Sequence, residues 1–138
     1  IDSTGKGYVT AEGFKRAMAF ERRFVEAGGL LAAGVDPTGA GGALAGYGDQ
    51  RNYELLVEAG FTPAQTIQIM TLNGARILGV DKQLGTVEKG KLADLVVLEG
   101  DLTRDATVIR NSTTVFKDGI GYDSAKLIES VQGKVGIN

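Results

Sequence analysis

Residues 29–39 of this 138-residue chain have the sequence GLLAAGVDPTG. A short and almost unbroken apolar run of this kind is typical of a strand that is buried on both faces in a parallel sheet. Pro37 and Gly39 end the run, because proline cannot donate to a strand ladder and glycine favours a turn. Asp36 therefore follows directly after a predicted buried strand, which is where α/β barrels carry their catalytic groups. A turn or capping aspartate is the alternative interpretation.

A helix is predicted before this stretch. Thr10 suits its N-cap and Glu12 its first turn, while Gly28 is a favourable residue just beyond its C-terminus. Apolar residues recur at helical spacing and predict a face that packs on the core, with basic side chains on a solvated face. These apolar residues are Phe14, Ala17, Met18, Phe20, Phe24 and Val25.

Further helices are predicted after the glycine-rich residues 40–48. Asp49 is expected to cap a helix over residues 50–59, and Thr62 to cap a second one that continues to Gly79. Their inward-facing residues are predicted to be Tyr53, Leu56, Val57, Ile67, Met70, Ile77 and Leu78. The order helix, buried strand, carboxylate, loop and helix is that of a βα repeat, which is not a self-contained fold.

From Gly85 onward the pattern changes to short strands separated by turns, and the boundary is placed near Asp81. Strands are predicted over residues 86–87, 95–98, 108–109 and 113–116. Residues 117–119, Lys-Asp-Gly, predict a tight turn. A last amphipathic helix is predicted over residues 124–131, with Gly133 ending it.

Composition excludes several classes of function. The net charge of −2 is unsuited to a nucleic-acid surface, and no apolar run approaches the ~18 residues needed to span a membrane. The chain has no cysteine and no histidine, so it has no disulfide, thiolate nucleophile or imidazole base. It cannot build a catalytic zinc site alone. The first residue is Ile1 rather than Met, and we expect the chain to be a segment of a longer protein.

Three local patterns resemble the C-terminal part of the metal-dependent amidohydrolase superfamily. The first is AGGLLAAGVDPTG at residues 27–39. The second is LVEAGFTP at 56–63 followed by TLNGARILG at 71–79, and the third is GTVEKGKLADLVVL at 85–98 followed by VFKDG at 115–119. The order and spacing resemble most closely the imidazolonepropionase-like branch and the Xaa-Pro or Xaa-Arg dipeptidase-like branch.

This resemblance implies an α/β fold, namely the C-terminal part of a (β/α)8 TIM-like barrel (its last strand and helices) followed by a small β-sandwich unit. Residues 1–80 would be the end of the barrel, residues 81–122 the small β-sandwich unit, and residues 123–138 a C-terminal helix and tail. The implied function is metal-dependent hydrolysis of C–N bonds in a small amide, dipeptide or cyclic amide. The other metal ligands of the family, mostly histidines, lie on earlier strands that are not in this sequence.

The resemblance also implies the site residues. Asp36 matches the aspartate that binds the divalent metal, expected to be Zn²⁺, and that carries a proton from the attacking water to the leaving nitrogen. The isolated segment, which lacks the remaining barrel, is expected to be inactive. Loop residues that match those bordering the substrate are Pro37, Thr38, Gly39, Gly41 and Gly42.

Two other polar residues of the matching motifs are expected to be structural. Asp94 is predicted to bond backbone amides near the strand that starts at Leu95, and Asn73 to stabilise its helix. An incomplete calcium loop near Asp2 has Lys6 and Gly13 where ligands belong, which argues against a calcium site.

The main alternative is a binding or assembly module without catalytic activity. Open strand edges and uncovered apolar faces promote pairing, so this alternative predicts self-association, and we expect a homo-oligomer in either case.

Overall fold

The computed structural model describes residues 10–35 and 46–134. Four helices come first, and a three-stranded sheet and a last helix follow. The elements are α1 (Ala11–Glu26), α2 (Tyr47–Glu58), α3 (Pro63–Met70), α4 (Leu72–Ile77), β1 (Leu95–Leu98), a 3-10 helix (Ala106–Arg110), β2 (Ser112–Lys117), β3 (Ile120–Asp123) and α5 (Ser124–Ser130).

The core of the described residues is formed by α2, α3 and Phe61 in the short loop that joins these two helices. Leu56, Phe61 and Ile69 are buried together, and Leu31 and Ala33 from the apolar run pack against them. The single helix predicted from Thr62 to Gly79 is in fact two, because the backbone leaves the helical region at Thr71 with φ −125° and ψ −80°. The Thr71 hydroxyl donates to the carbonyl of Ile67 at 2.7 Å, a local bond that competes with helix continuation.

The predicted helix caps are mostly confirmed. The Thr10 hydroxyl accepts from the Gly13 amide at 3.0 Å at the start of α1. Thr62 and Gln65 form a reciprocal capping box at the start of α3. Asp49 does not cap α2, which starts earlier with Gly46 as its N-cap, so Asp49 lies within the first turn, where an acidic side chain favours the helix dipole.

Strands β1, β2 and β3 form an antiparallel sheet in that order. The turn predicted at residues 117–119 is confirmed as a two-residue hairpin loop, with φ +51° at Asp118 and +79° at Gly119. An Asp-Gly pair with both φ values positive matches the twist of the strands that it joins. Strand β3 is missing from the sequence prediction, because Ile-Gly-Tyr-Asp is short and its glycine is unfavourable inside a strand. The Asp-Gly turn before it is the local signal that predicts a hairpin partner for β2.

Two predicted strands are wrong. Residues 86–87 form no strand, because the Lys91 amine folds this segment around itself by donating to the Thr86 hydroxyl and to the carbonyl of Asp81 at 2.7 Å. Residues 108–109 lie in the 3-10 helix, which Asp105 caps by accepting from the Thr107 amide. A pair of apolar residues is too short to show the alternation of a strand, so the sequence does not distinguish a strand from a loop or a 3-10 helix at these positions.

The apolar run of residues 30–35 also departs from expectation. It forms no strand within the described ranges and is half-buried, with Leu30 46% exposed, so it is not covered on both faces there. A parallel strand needs a neighbouring strand to accept its backbone bonds. The carbonyls of Leu31 and Gly34 bond instead to side chains of the helices.

Helix α1 is amphipathic as predicted, but its apolar face is not buried by the residues that the structure describes. Phe14 and Phe24 are more than 40% exposed and Phe20 is 70% exposed. The contact of α1 with the core cluster is made near its end, through Val25. In the described part of the chain, no helix has the length and apolar character needed to cross a membrane.

Candidate functional site

The predicted catalytic and substrate-bordering residues lie outside the described residues. They are Asp36, Pro37, Thr38, Gly39, Gly41 and Gly42. The structure therefore describes the segment that leads to them, residues 30–35, and the helices that hold this segment.

Apolar contacts hold one side of the segment. Leu31 and Ala33, two residues apart, both pack against the cluster formed by Leu56, Phe61 and Ile69. Residue Gly29 sits just before the segment, where a Cβ atom would lie only 2.4 Å from the ring of Phe24. A side chain at this position would make the Phe24 ring move, which the ring can do because Phe24 is 44% exposed.

Asn73 of α4 holds the segment at its N-terminal end. Its Nδ2 donates to the carbonyl oxygen of Leu31 at 2.6 Å, across 42 residues of chain. Its Oδ1 accepts from Nε2 of Gln68 at 3.5 Å, and the side chain is buried. Asn73 is thus structural, as the sequence predicts, but it acts on the apolar segment and not only on its own helix.

Asn52 of α2 holds the segment at its other end. Its Nδ2 donates to the carbonyl oxygen of Gly34 at 3.3 Å. Gly34 precedes Asp36 by two residues. Asn52 has no distinctive sequence signal, because a polar residue beside the inward-facing Tyr53 is typical of the edge of an amphipathic helix.

Glu54 of α2 is a buried carboxylate with two arginine partners. It is 7% exposed and accepts from Arg110 through two bonds, Nε to Oε1 at 2.6 Å and Nη2 to Oε2 at 3.0 Å. Arg51 donates to Oε2 at 2.9 Å. The hydrogen bonds from Arg110 and then Arg51 lower the pKa of Glu54 from 4.5 to about 2, against the opposing effect of burial.

The sequence analysis does not predict this group of Glu54, Arg51 and Arg110, although one of its two pairs is visible in the sequence. Glu54 is three residues after Arg51 on a predicted helix, which is a detectable local pair. Arg110 is 56 residues away, and only the fold brings it to Glu54. The pairing fixes α2 to the 3-10 helix that precedes β2, so it joins the helical part of the chain to the sheet.

Asp94 is structural, as predicted, and its partners lie in the β2–β3 turn. It accepts from the backbone amide of Asp118 at 2.7 Å and from the amine of Lys117. The hydrogen bond from Lys117, followed by that from the Asp118 amide, lowers the pKa of the Asp94 carboxyl. Its role is to fix the hairpin beside the start of β1.

An open groove lies between α1 and the end of α2. Three of its five charged side chains are ion-paired, since Arg22 pairs with Glu26 at 3.0 Å and Glu58 pairs with Arg51 at 2.7 Å. It therefore has the character of a solvated surface rather than a binding site. The lining residues are Lys15, Met18, Ala19, Arg22, Arg23, Glu26, Glu58 and Ala59.

The described residues do not form a metal centre by themselves. Within residues 10–35 and 46–134, no three side chains of the His, Cys, Asp or Glu type come close enough together to hold a metal ion. A catalytic zinc site takes about three protein ligands. The donor set in these ranges therefore does not fit a metal, and Asp36 is the one predicted ligand in the sequence.

The sequence of this chain is similar to those of known enzymes. A profile of the amidohydrolase family matches residues 19–121. The chain is 36% identical over 85 residues to the 5-methylthioadenosine/S-adenosylhomocysteine deaminase of Moorella thermoacetica, a match that covers 56% of this chain and 20% of the deaminase.

The structure of this chain also superposes on solved structures of hydrolytic enzymes. A Xaa-Pro dipeptidase with methionine bound in its active site superposes with a TM-score of 0.66 and 31% identity, over 80% of this chain and 25% of the dipeptidase. Phenylurea hydrolase B superposes with a TM-score of 0.61 and 29% identity, over 76% of this chain and 26% of the hydrolase. The chain thus spans about a fifth to a quarter of the length of these proteins.

Proposed function

The chain belongs to the amidohydrolase family, and on that premise we propose that it is the C-terminal portion of a metal-dependent hydrolase that cleaves C–N bonds. The observation that carries the proposal is the family match over residues 19–121, which includes the segment leading to Asp36 and Asp36 itself. The deaminase, the dipeptidase and the phenylurea hydrolase have names that describe cleavage of a C–N bond. A dipeptide, an N-acyl amino acid or a cyclic amide is the proposed substrate class.

The proposed architecture of the chain is that of the C-terminal part of the family fold. The family fold is a TIM-like α/β barrel, and residues 1–80 are proposed to be the end of that barrel. Residues 81–122 are proposed to belong to a small β-sandwich, of which β1 to β3 are one sheet, and residues 123–138 to be a C-terminal helix and tail. The half-buried residues 30–35 would then gain partner strands from the rest of the barrel.

Asp36 is proposed as the catalytic residue and as one metal ligand. A carboxylate can accept a proton from the water that attacks the carbonyl carbon, and can then deliver it to the nitrogen as the C–N bond breaks. A divalent metal, with Zn²⁺ as the first choice to test, supplies a Lewis acid when bound. Its remaining ligands are proposed to lie outside these 138 residues. The proposed substrate-bordering residues are Pro37, Thr38, Gly39, Gly41 and Gly42.

The test is Asp36→Asn in the full-length protein supplied with Zn²⁺. We expect kcat to fall about 10³-fold or more with the fold unchanged, because the amide cannot accept the proton. The readout is turnover of a panel of Xaa-Pro dipeptides, N-acyl amino acids and a cyclic amide. The 138-residue chain alone is expected to be inactive.

Asp94→Asn is the matched control. It removes a carboxylate from an equally characteristic motif, but one that holds the β2–β3 turn, so it should keep near-normal kcat. Near-normal activity of Asp36→Asn, or no turnover of any substrate of the panel by the unaltered protein, would overturn the proposal.

Uncovered apolar surface favours a second candidate, a module that self-associates. Val96 and Tyr122 lie on one face of the sheet with Val115 between them, and are 59% and 41% exposed. Such a face promotes pairing with another copy. Light scattering of the 138-residue chain tests this candidate, which requires a defined oligomer that Val96→Lys disrupts. A monomer would exclude it.

A further inference from the structure

Asn73 in α4 is followed directly by Gly74, and an asparagine before glycine is the kind that deamidates most readily. Glycine has no side chain to hinder attack by its own amide nitrogen on the side-chain carbon of the asparagine. Of the other asparagines, Asn52 precedes tyrosine and Asn111 precedes serine. We propose that Asn73 is a deamidation site that the native fold keeps closed and that becomes reactive when α4 opens locally. This inference is independent of the proposed function.

The reaction needs only water in addition to the chain. The amide nitrogen of Gly74 loses its proton to solvent and bonds to Cγ of Asn73. The bond from Cγ to Nδ2 breaks, and Nδ2 takes up a proton and leaves as ammonia. Water then opens the cyclic imide at either of its carbonyls, which gives aspartate or isoaspartate. Both products have a carboxylate in place of the side-chain amide.

The native structure opposes this reaction at Asn73. The side chain is 6% exposed, so little water reaches it. Its Nδ2 donates to the carbonyl of Leu31 at 2.6 Å and its Oδ1 accepts from Gln68 at 3.5 Å, so the amide group is held away from its own backbone. The helical backbone also fixes the position of the Gly74 nitrogen. Deamidation of Asn73 therefore requires α4 to open first.

Helix α4 has the features of a segment that opens before the rest of the fold. It has six residues, and no side chain of the described residues caps its start, since the Thr71 hydroxyl donates back to Ile67. Its last residue, Ile77, is 58% exposed. Gly74 is an unfavourable residue inside a helix. Few buried side chains and a missing cap both favour local opening.

Deamidation makes the opening of α4 irreversible. The aspartate product presents only oxygens, so it cannot donate to the carbonyl of Leu31. Closing the helix again would bury a negative charge against that carbonyl oxygen, which is costly. Isoaspartate also adds a carbon atom to the backbone, which the regular helix does not accommodate. In both products, α4 loses its bond to the apolar segment at residues 30–35.

The experiment measures deamidation site by site in the full-length protein, by tryptic peptide mapping and mass spectrometry. Asn52 and Asn73 lie in the same tryptic peptide, residues 52–76, so Asn52 is an internal reference. In urea we expect Asn73 to deamidate about tenfold or more faster than Asn52. Without urea, at the same pH and temperature, Asn73 should react about 100-fold or more slowly than in urea, because it reacts only through the open state.

Gly85→Ala tests whether the opening of α4 controls the reaction. A Cβ atom at Gly85 would lie 2.9 Å from Cα of Leu72 and would push against the start of α4. Gly90→Ala is the matched control, because Gly90 also has a positive φ but its Cβ would meet no described atom within 4 Å. Without urea, deamidation at Asn73 should be about tenfold or more faster in Gly85→Ala than in Gly90→Ala.

Asn73→Asp imitates one product and tests the consequence. We expect it to lower Tm by about 2 °C or more, because the Leu31 carbonyl loses its donor. Peptides that cover residues 29–35 should also exchange their amide hydrogens faster. Asn111→Asp is the control, since Asn111 is exposed and its Nδ2 donates to the Glu99 carbonyl at a longer 3.4 Å, and it should shift Tm by less than about 1 °C.

Several results would overturn the inference. If Asn73 deamidates as fast in the native protein as in urea, the fold does not protect it. Equal rates in Gly85→Ala and Gly90→Ala would show that α4 is not the gate, and an unchanged Tm in Asn73→Asp would show that the product can close again. If Gly85→Ala does not fold, urea below the unfolding transition replaces it. The rate at Asn73 should then rise before global unfolding, and a constant rate would contradict the inference.

Discussion

Helices α2 to α4 and the sheet β1 to β3 differ in how much of their apolar surface is covered. In the helical part, Tyr53, Leu56 and Ile69 are no more than 5% exposed. In the sheet, Val96 and Ile120 are 59% and 60% exposed. Short helices can bury their apolar stripes against their sequence neighbours, whereas a sheet has two faces and needs an additional layer.

The contact between the two regions is partly ionic. Glu54 in α2 reaches Arg110, which precedes β2, and both bonds of this pair are 3.0 Å or shorter. A carboxylate and a guanidinium matched in this bidentate way give orientation as well as attraction. The difference between the regions therefore teaches that α2 and α3 bury a small core of their own, whereas the sheet leaves apolar surface uncovered. The end of α4 resembles the sheet in this respect, because Ile77 and Leu78, which the sequence predicts to face inward, are 58% and 77% exposed.

The largest expected effect on stability is found by comparing alanine substitutions at two isoleucines, one buried and one exposed. Ile69→Ala should lower the free energy of unfolding by about 2–5 kcal/mol, because it leaves a cavity in the core. Ile120→Ala should change it by no more than about 0.5 kcal/mol, because that side chain is mostly in water. Urea denaturation of the 138-residue chain measures both. Equal losses at the two positions would show that another layer covers the sheet.

An intermediate effect is expected at the ion pair. Glu54→Gln should cost about 1–2 kcal/mol at pH 6, less than for a fully buried pair, because Arg51 and Arg110 are about half exposed. The lowered pKa means that the unaltered pair contributes fully above pH 4.5 and that this contribution is lost as the pH falls through about 2.

The difference in stability between Glu54→Gln and the unaltered chain should therefore shrink between pH 4.5 and pH 2. Urea denaturation at several pH values measures it. Arg104→Ala, which breaks the exposed pair with Asp101, is the control and should change stability by less than about 0.5 kcal/mol. A difference that stays constant with pH would contradict the ionic role of Glu54.

The smallest expected effect compares two threonine caps. Thr62→Ala should lower global stability by about 1 kcal/mol, because α3 carries the buried Ile69. Thr10→Ala removes the same kind of bond from α1, which has no buried residue, so it should fray that helix with little global change. Circular dichroism and urea denaturation separate the two results. A larger global loss at Thr10 would mean that α1 is covered.

The structure confirms mainly those predictions that depend on a few neighbouring residues. The caps Thr10 and Thr62, the strand at residues 95–98 and the Asp118-Gly119 turn all follow from short-range chemistry and are confirmed. The structural roles of Asp94 and Asn73 were also predicted, although their partners were not. The strand predicted at residues 86–87 is wrong because the Lys91 amine bonds to the Thr86 hydroxyl and to the carbonyl of Asp81, and no strand pattern in the sequence shows such side-chain bonds.

The catalytic role proposed for Asp36 comes from its position after an apolar run and from the family motif that contains it. The side-chain bonds to the segment before that position could not have been predicted. Asn52 and Leu31 look unremarkable in the sequence, and the bond from Asn73 to Leu31 joins residues 42 positions apart. Local patterns of residue types do not show which polar side chain will meet a particular carbonyl.

The sequence by itself determined the helix starts, the hairpin turn and the family resemblance, because each depends on residue types at fixed short spacing. Only the tertiary structure decided that Glu54 is buried with Arg110 and that Asn52 and Asn73 hold the segment leading to Asp36. The physical reason is that a hydrogen bond needs its two atoms within about 3 Å. Between distant residues, packing alone sets that distance.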